Sequence, residues 1–363
     1  LPFFLGLAAA LRRMRQTATA LVLLGWVGLL LPGMFSEYAP HFHRILGAAA
    51  PTALLIGLGL DTLWQWPWLR RRHLQWVAVL LLAASLVTTA RDYFVRWAAL
   101  PDLYYAFDAG MWEAGNWIAQ QPSDTPIYIS PRGLEHATLA FAVRPEPGEA
   151  DAPAPVVAYD GRHVFPLTNA VVDQAEHYVA IEHEDFRTPL LLPEVFPHAS
   201  IARELQDANG AIYARIYTRP AGESPQRPPR VSAPQQLVDG IALAGYDLLP
   251  ETAEAGGVLY LQLHWLVSAP PTGDWTVFTH LVNPATGAVV AGKDSTPGNG
   301  SLPTPRWQTG WRILDEYQIN LPADLPPGDY DLGIGLYDAA GARIPPAGDL
   351  RIGQTRIGQP ETE

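Results

Sequence analysis

Three long apolar runs near the N-terminus constrain this chain more than any other feature. They cover residues 17–35, 45–64 and 74–90, and each contains at most one charged side chain. A helix needs roughly 20 apolar residues to cross the hydrocarbon layer of a bilayer, and these runs have that length. Their length and number make a cleavable leader a poor alternative, so three membrane-spanning helices are expected.

The charges beside these runs set an expected orientation. Arg12, Arg13 and Arg15 precede the first run, and Arg70, Arg71 and Arg72 lie between the second and third. Basic residues gather on the cytoplasmic side of membrane proteins. Residues 37–44 and everything after residue 90 are therefore expected outside the cytoplasm. Trp64, Trp66, Trp68 and Trp76 cluster at the inner turn, where an interfacial aromatic belt belongs. Residues 1–11 read as the tail of an earlier inward span, so the chain is expected to be part of a longer protein.

Charge divides the sequence in two. Residues 1–96 hold nine Arg and three acids; of the chain's 24 basic and 36 acidic residues, 15 and 33 remain, a net of −18. An acidic region of that size lacks the basic footprint that nucleic-acid binding needs. No cysteine is present, which excludes disulfides and thiolate metal sites.

Beyond the spans the periodicity changes. Residues 104–121 have helical spacing and end in Gln-Gln-Pro. Residues 133–143 read as a second helix, and 126–130, 155–159, 177–182 and 211–218 as strands, with a Pro- and acid-rich loop at 144–155. Strands alternating with helices predict a small α/β domain over residues 97–219. Residues 220–234 (PAGESPQRPPRVSAP) read as a Pro-rich linker. From 235 to 363 the alternation becomes strict: Leu259, Leu261, Leu263 and Trp265 share one face, as do Tyr330, Leu332, Ile334 and Leu336. Residues 275–282 are comparable, and Gly/Pro turns separate the runs. This pattern predicts an antiparallel β-sandwich, Ig-like or jelly-roll-like.

Candidate sites are few. Glu37, His41, His43 and Arg44 sit together in the outward loop, where a guanidinium could grip a lipid phosphate or simply snorkel to head groups. His41 and His43, two apart on a loop, are not diagnostic of a metal. The run Glu182-His183-Glu184-Asp185 reads as a solvated strand end followed by a turn. Asp294, Asp315 and Asp338 lie near predicted turns, where aspartate accepts backbone hydrogen bonds. Trp307 and Trp311 are candidates for an aromatic sugar platform or for the core. Asn299-Gly300-Ser301 matches a glycosylation acceptor pattern. No cofactor motif, Gly-rich nucleotide loop or nucleophile triad is legible.

Two sets of residues resemble a known family. LPGMFSEYAPHFHRILGAAAPTALLIGLGL, at 31–60, resembles the late transmembrane region of multi-spanning bacterial glycosyltransferases of the GT-C fold, related to protein mannosyltransferases and aminoarabinose transferases. GYDLLP at 245–250, LHW at 263–265, DWTVFTHLVN at 274–283, DSTPGNG at 294–300, PTPRWQTG at 303–310 and PPGDYDLGIGLYD at 326–338 resemble the β-domain appended to such proteins in Chloroflexi-type bacteria. The resemblance implies transfer of a sugar from a polyprenyl-phosphate carrier to an acceptor outside the bacterial cytoplasmic membrane. It places a phosphate-binding role on Arg44, with His41 and His43 beside it. The family's catalytic acid belongs to an early outward loop that this sequence does not contain, so transfer is not expected of this chain alone. The other class of function expected is a membrane-tethered surface module that binds glycan or is purely structural.

Overall fold

The computed structural model describes residues 2–35, 42–67, 72–144, 155–345 and 349–358. It divides into two compact units, Leu1–Ala99 and Leu100–Glu363.

The first unit is helical: α1 (Pro2–Arg12), α2 (Thr17–Met34), α3 (Ala49–Trp64) and α4 (Arg72–Arg91), with a short 3₁₀ helix at Phe42–Ala48. Three segments, Thr17–Met34, Arg44–Trp64 and Gln75–Trp97, are long and apolar enough to cross a membrane. Their large side chains point mostly outward, with Leu24, Leu80, Leu81 and Leu86 all exposed. That inversion suits a lipid solvent and would be costly in water. Helices α1 and α3 touch through glycines. A Cβ on Gly6 would lie 1.7 Å from the Leu55 carbonyl oxygen, and one on Gly59 1.8 Å from that of Pro2. Small residues allow such backbone contact between apolar helices, where burial in lipid supplies no driving force. The indole of Trp26 on α2 donates to Thr52 Oγ1 on α3 at 3.1 Å.

The second unit contains α5 (Asp102–Ala106), α6 (Ala109–Ala119), β1 (Ile127–Ser130), α7 (Ala137–Ala142), β2 (Val156–Ala158), β3 (Val164–Thr168), β4 (Glu176–Ala180), α8 (Arg187–Val195), β5 (Ser200–Gln206) and β6 (Ile212–Arg219). Its remaining strands are β7 (Val231–Gln236), β8 (Ile241–Leu249), β9 (Thr252–Glu254), β10 (Val258–Val267), β11 (Thr276–Val282), β12 (Val289–Ser295), β13 (Trp311–Asn320), β14 (Gly328–Tyr337), β15 (Arg343–Ile344) and β16 (Leu350–Gly358). They form three sheets, ordered β2-β1-β4-β6-β5, β3-β13-β10-β8-β7 and β12-β11-β14-β16-β9, with β15 on β14.

The first sheet is mixed: β1 runs parallel to β2 and β4, while β6 is antiparallel to β4 and β5. Strand alternation gives it two buried faces. Ile127, Ile129, Val179 and Ile216 meet Met111, Ala114 and Ile118 of α6 and Leu139 of α7. Tyr128 and Tyr178 point the other way, into a core shared with the β-sandwich. There Phe165, Tyr178 and Tyr128 stack in series, with centroids 5.3 and 4.6 Å apart.

The second and third sheets share one core. Leu259, Leu261, Leu263 and Trp265 of β10 pack with Tyr330, Leu332, Ile334 and Leu336 of β14, the two faces expected from alternation.

Three features depart from the expected organisation. The 104–121 helix is broken into α5 and α6 at Asp108, whose φ of 52° is left-handed. The helix expected over 133–143 shortens to α7. The domain boundaries are also crossed. β3, inside the expected α/β domain, pairs with β13 of the sandwich, and β7 recruits the end of the expected linker onto β8. Both are edge strands containing proline (Pro166 and Pro234), which an edge tolerates because one side needs no ladder donor.

Candidate functional site

The register of three strands lays out a row on the outer face of the sandwich. Tyr260 of β10 stands between Leu249 of β8 and Gln318 of β13; one step along, Gln262 stands between Asp247 and Glu316; the next is His264 between Gly245 and Leu314. Burial changes steadily along this row. His264 and Leu314 are fully buried, Asp247 and Gln262 nearly so, Glu316 is half-buried, and Leu249, Tyr260 and Gln318 are exposed.

The cover comes from the α/β layer. Phe165 of β3 lies in register beside Leu314. Arg187, at the start of α8, pairs with Glu316 at 3.3 Å. Arg227 reaches Glu194 of α8 at 2.9 Å, Asp247 at 3.2 Å and Gln262 at 2.8 Å. His264 Nε2 lies 3.3 Å from Asp247 Oδ2. Burial holds the imidazole pKa below its ordinary 6.5, against the attraction of Asp247. Asp247 is pushed up by burial, but His264, the Arg230 amide and Arg227 outweigh this and leave it lowered.

Where the cover stops, an open cleft of about 670 Å³ begins, with a smaller recess of about 190 Å³ that shares His163, Asn299, Glu316 and Gln318. Tyr260 (40% exposed) and Gln318 belong to the sheet wall, and Phe186 (71% exposed) projects from the turn before α8. Asp160, Arg162 and His163 come from the loop between β2 and β3, and Asn299 from the loop after β12.

Both loops are fixed from behind. Arg162 donates to both Asp160 carboxylate oxygens at 2.8 Å. Burial raises the Asp160 pKa, but the Arg162 side chain and amide reverse this and hold it below the usual carboxylate range. The Asp160 amide donates to Ser301 Oγ at 3.0 Å and the Glu316 amide to the His163 carbonyl at 2.8 Å. Under the loop, buried Asp185 accepts from Ser130 Oγ, from Thr188 Oγ1 at 2.6 Å and from the Thr188 amide at 3.0 Å. A Cβ on Gly161 would come within 2.0 Å of that carboxylate, so glycine is required there. The Asn299 loop is tied by the Gly298 amide donating to Asp315 Oδ1 at 2.9 Å.

The residues singled out from sequence fall elsewhere. Glu37 and His41 lie outside the described residues. His43 is in the 3₁₀ helix Phe42–Ala48, and Arg44 is exposed at the head of the segment Arg44–Trp64. Trp307 and Trp311 do not form an exposed platform: they are 2% and 4% exposed and belong to the core. Trp307 points its Nε1 at the Leu302 carbonyl, 2.9 Å away, and Trp311 tilts against Tyr128.

The 182–185 run is only partly a solvated turn. Glu182 pairs with Arg215 and Glu184 with Arg132, each at 2.8 Å, whereas Asp185 is fully buried. Asp338 caps its turn as expected, accepting from the Ala340 and Ala342 amides. Asp315 instead sits within β13, inside the sandwich. Asn299 is exposed at the cleft with φ of 53°.

The cleft residues Tyr260, Gln318, Glu316 and Phe186 were not legible as a site. The run VLYLQLHW shows that Tyr260, Gln262 and His264 share a face, but only the register with β13 brings Glu316 and Gln318 beside them.

Chemically, the cleft offers aromatic surface, the amides of Asn299 and Gln318, the carboxylates of Asp160 and Glu316 and the Arg162 guanidinium. Among the described residues no cluster of three or more His, Asp or Glu converges on a metal-sized point. No protein-family model and no curated protein matches the chain. Among solved structures, the C-terminal domain of Wzt is similar at 16% identity, covering 38% of this chain and 84% of that one, with a TM-score of 0.27. A Niemann-Pick type C2 protein from Japanese carpenter ant is similar at 6% identity, covering 36% and 94%, with a TM-score of 0.21. Neither likeness fixes a family for this chain.

Proposed function

We propose that the chain is a membrane-tethered module whose β-sandwich binds glycan outside the bacterial cytoplasmic membrane. The observation that supports this is the exposed Tyr260 ring set between Gln318 and Leu249 on a paired sheet, with Phe186 lining the same open cleft beside polar side chains. A sugar presents an apolar ring face and a rim of hydroxyls. Tyrosine and phenylalanine suit the first; amides, carboxylates and guanidinium groups suit the second. A site on paired strands also keeps its geometry better than one on free loops. The outward orientation rests on the arginines at 12, 13 and 15, all exposed beside the first span.

The test is a glycan array probed with the full chain in nanodiscs. Wild type should bind a defined subset of glycans, and Tyr260→Ala and Gln318→Ala should each weaken that binding at least tenfold. Binding unchanged by both substitutions, or no binding to any glycan, refutes the cleft as a glycan site.

A second reading is favoured by Arg44: the spans are the tail of a carrier-lipid-dependent glycosyltransferase, in which this guanidinium holds the polyprenyl-linked phosphate. Its exposure at the head of an apolar segment and the family resemblance of residues 31–60 support that role. Arg44→Ala in the longer protein should lower sugar transfer by at least a hundredfold. Undiminished transfer removes Arg44 from the reading.

A further inference from the structure

We propose that the Trp112–Phe141 face of the α/β layer rests on the lipid head-group layer of the membrane that holds the spans, so that the module lies against the bilayer. The proposal rests on the reading that Gln75–Trp97 crosses a membrane.

The face is built by two short amphipathic helices. Met111, Ala114, Gly115 and Ile118 of α6 and Leu139 and Ala142 of α7 are buried toward the sheet. Trp112 and Phe141 point the opposite way, 43% and 63% exposed. Their rings stack on each other across the two helices, 5.9 Å apart at 28°. Scattered exposed apolar side chains are ordinary, but two large rings joined into one raised surface mark a contact site.

Chain connectivity selects the occupant. Between Trp97, where the apolar segment ends, and Ala109, where α6 begins, five of the intervening residues are helical. Such a connection spans at most about 30 Å, at roughly 3.5 Å per extended and 1.5 Å per helical residue. The face is therefore tethered close to the bilayer surface. The end of the segment is itself aromatic, with Tyr93 and Trp97 stacked at 5.0 Å, as at a head-group boundary. Tryptophan and phenylalanine suit that layer, and tryptophan also brings an N–H for head-group or water oxygens. The region after residue 96 carries a net charge of −18, so anionic lipid would repel it. The contact must come from ring insertion and should be insensitive to salt.

The chain has no cysteine, so single-cysteine spin labels report depth without background. Labels at Trp112 and Phe141 would be compared with one at Leu81, exposed within the third span, and one at Leu249, exposed in the cleft. The full chain would be held one copy per phosphatidylcholine nanodisc, and access to oxygen measured against access to a water-soluble nickel chelate. The oxygen-to-nickel ratio at Trp112 and Phe141 should exceed that at Leu249 at least threefold and stay below that at Leu81, which lies deeper within the third span. A Leu81 label in lipid with Trp112 and Phe141 labels matching Leu249 overturns the docking alone. A Leu81 label that also matches Leu249 overturns the membrane reading and the docking with it. Water access in single-copy discs, with spin–spin broadening at Phe141 when copies are crowded, overturns the lipid assignment in favour of a second copy.

Discussion

Asp315 carries the sharpest energetic consequence of this fold. Its carboxyl is fully buried on the core side of β13, opposite Leu263. Burial raises its pKa from 3.8 to about 6, even though Tyr317 O–H (2.5 Å), the Gly298 amide (2.9 Å) and the Trp265 indole (3.4 Å) all donate to it. Each pKa unit corresponds to about 1.4 kcal/mol, so ionising Asp315 in the folded state costs about 3 kcal/mol more than in the unfolded chain. Because the folded pKa is the higher one, this group's contribution to stability is greatest below pH 3.8 and is lost as pH rises toward 6. Asp315→Asn removes the titration while keeping the shape, and its one carbonyl oxygen can still accept from Gly298. Hydrogen exchange on peptides from β10 and β13 measures the local opening free energy of both forms. The wild type should lose about 3 kcal/mol relative to Asp315→Asn between pH 3.5 and pH 7. A difference that stays constant with pH, or that favours the wild type as pH rises, refutes the reasoning.

Other consequences follow from buried groups elsewhere in the second unit. Arg219 pairs with buried Glu176 at 2.8 Å and donates to the Ala170 and Glu223 carbonyls. Arg219→Ala strands that carboxylate and should destabilise the second unit by about 3–5 kcal/mol in denaturant unfolding; replacing both partners by apolar residues should cost far less. A Cβ at Gly335 would lie 2.1 Å from the Phe278 ring and 2.7 Å from the Ile344 carbonyl oxygen. Gly335→Ala should therefore cost about 1–3 kcal/mol by overpacking, visible as a lowered melting temperature. His264, with its pKa depressed by burial, should titrate below 6.5 by imidazole NMR. Since its folded pKa is the lower one, its share of stability is present above pH 6.5 and lost as pH falls below, opposite in sign to Asp315.

The parts of this fold that sequence reveals are those set by periodicity. Apolar runs located the helices long and apolar enough to cross a membrane, although the third extends to Trp97, beyond the expected end at residue 90, and the odd positions of β10 and even positions of β14 pointed to the sandwich core. Periodicity is silent about partners. Nothing in VFPLT at 164–168 says that it leaves its neighbours and joins β13, because proline in the run argues against a strand unless the edge is known. Trp307 and Trp311 illustrate the same gap, since a tryptophan near turns can stack on a ligand or fill a core. Their burial was decided by which sheet faces they met. The cleft depended on register between strands distant in sequence, with Glu316 and Gln318 opposite Gln262 and Tyr260.

The proposed glycan site is the outer cleft of the sandwich and not its buried tryptophans. Calorimetric titration of the strongest array ligand into the full chain in nanodiscs tests it most directly. Tyr260→Ala should raise the dissociation constant at least tenfold, while Trp307→Phe, which keeps an aromatic ring in the core, should leave it unchanged. An unchanged constant for Tyr260→Ala, together with lost binding in a folded Trp307→Phe, would contradict the account.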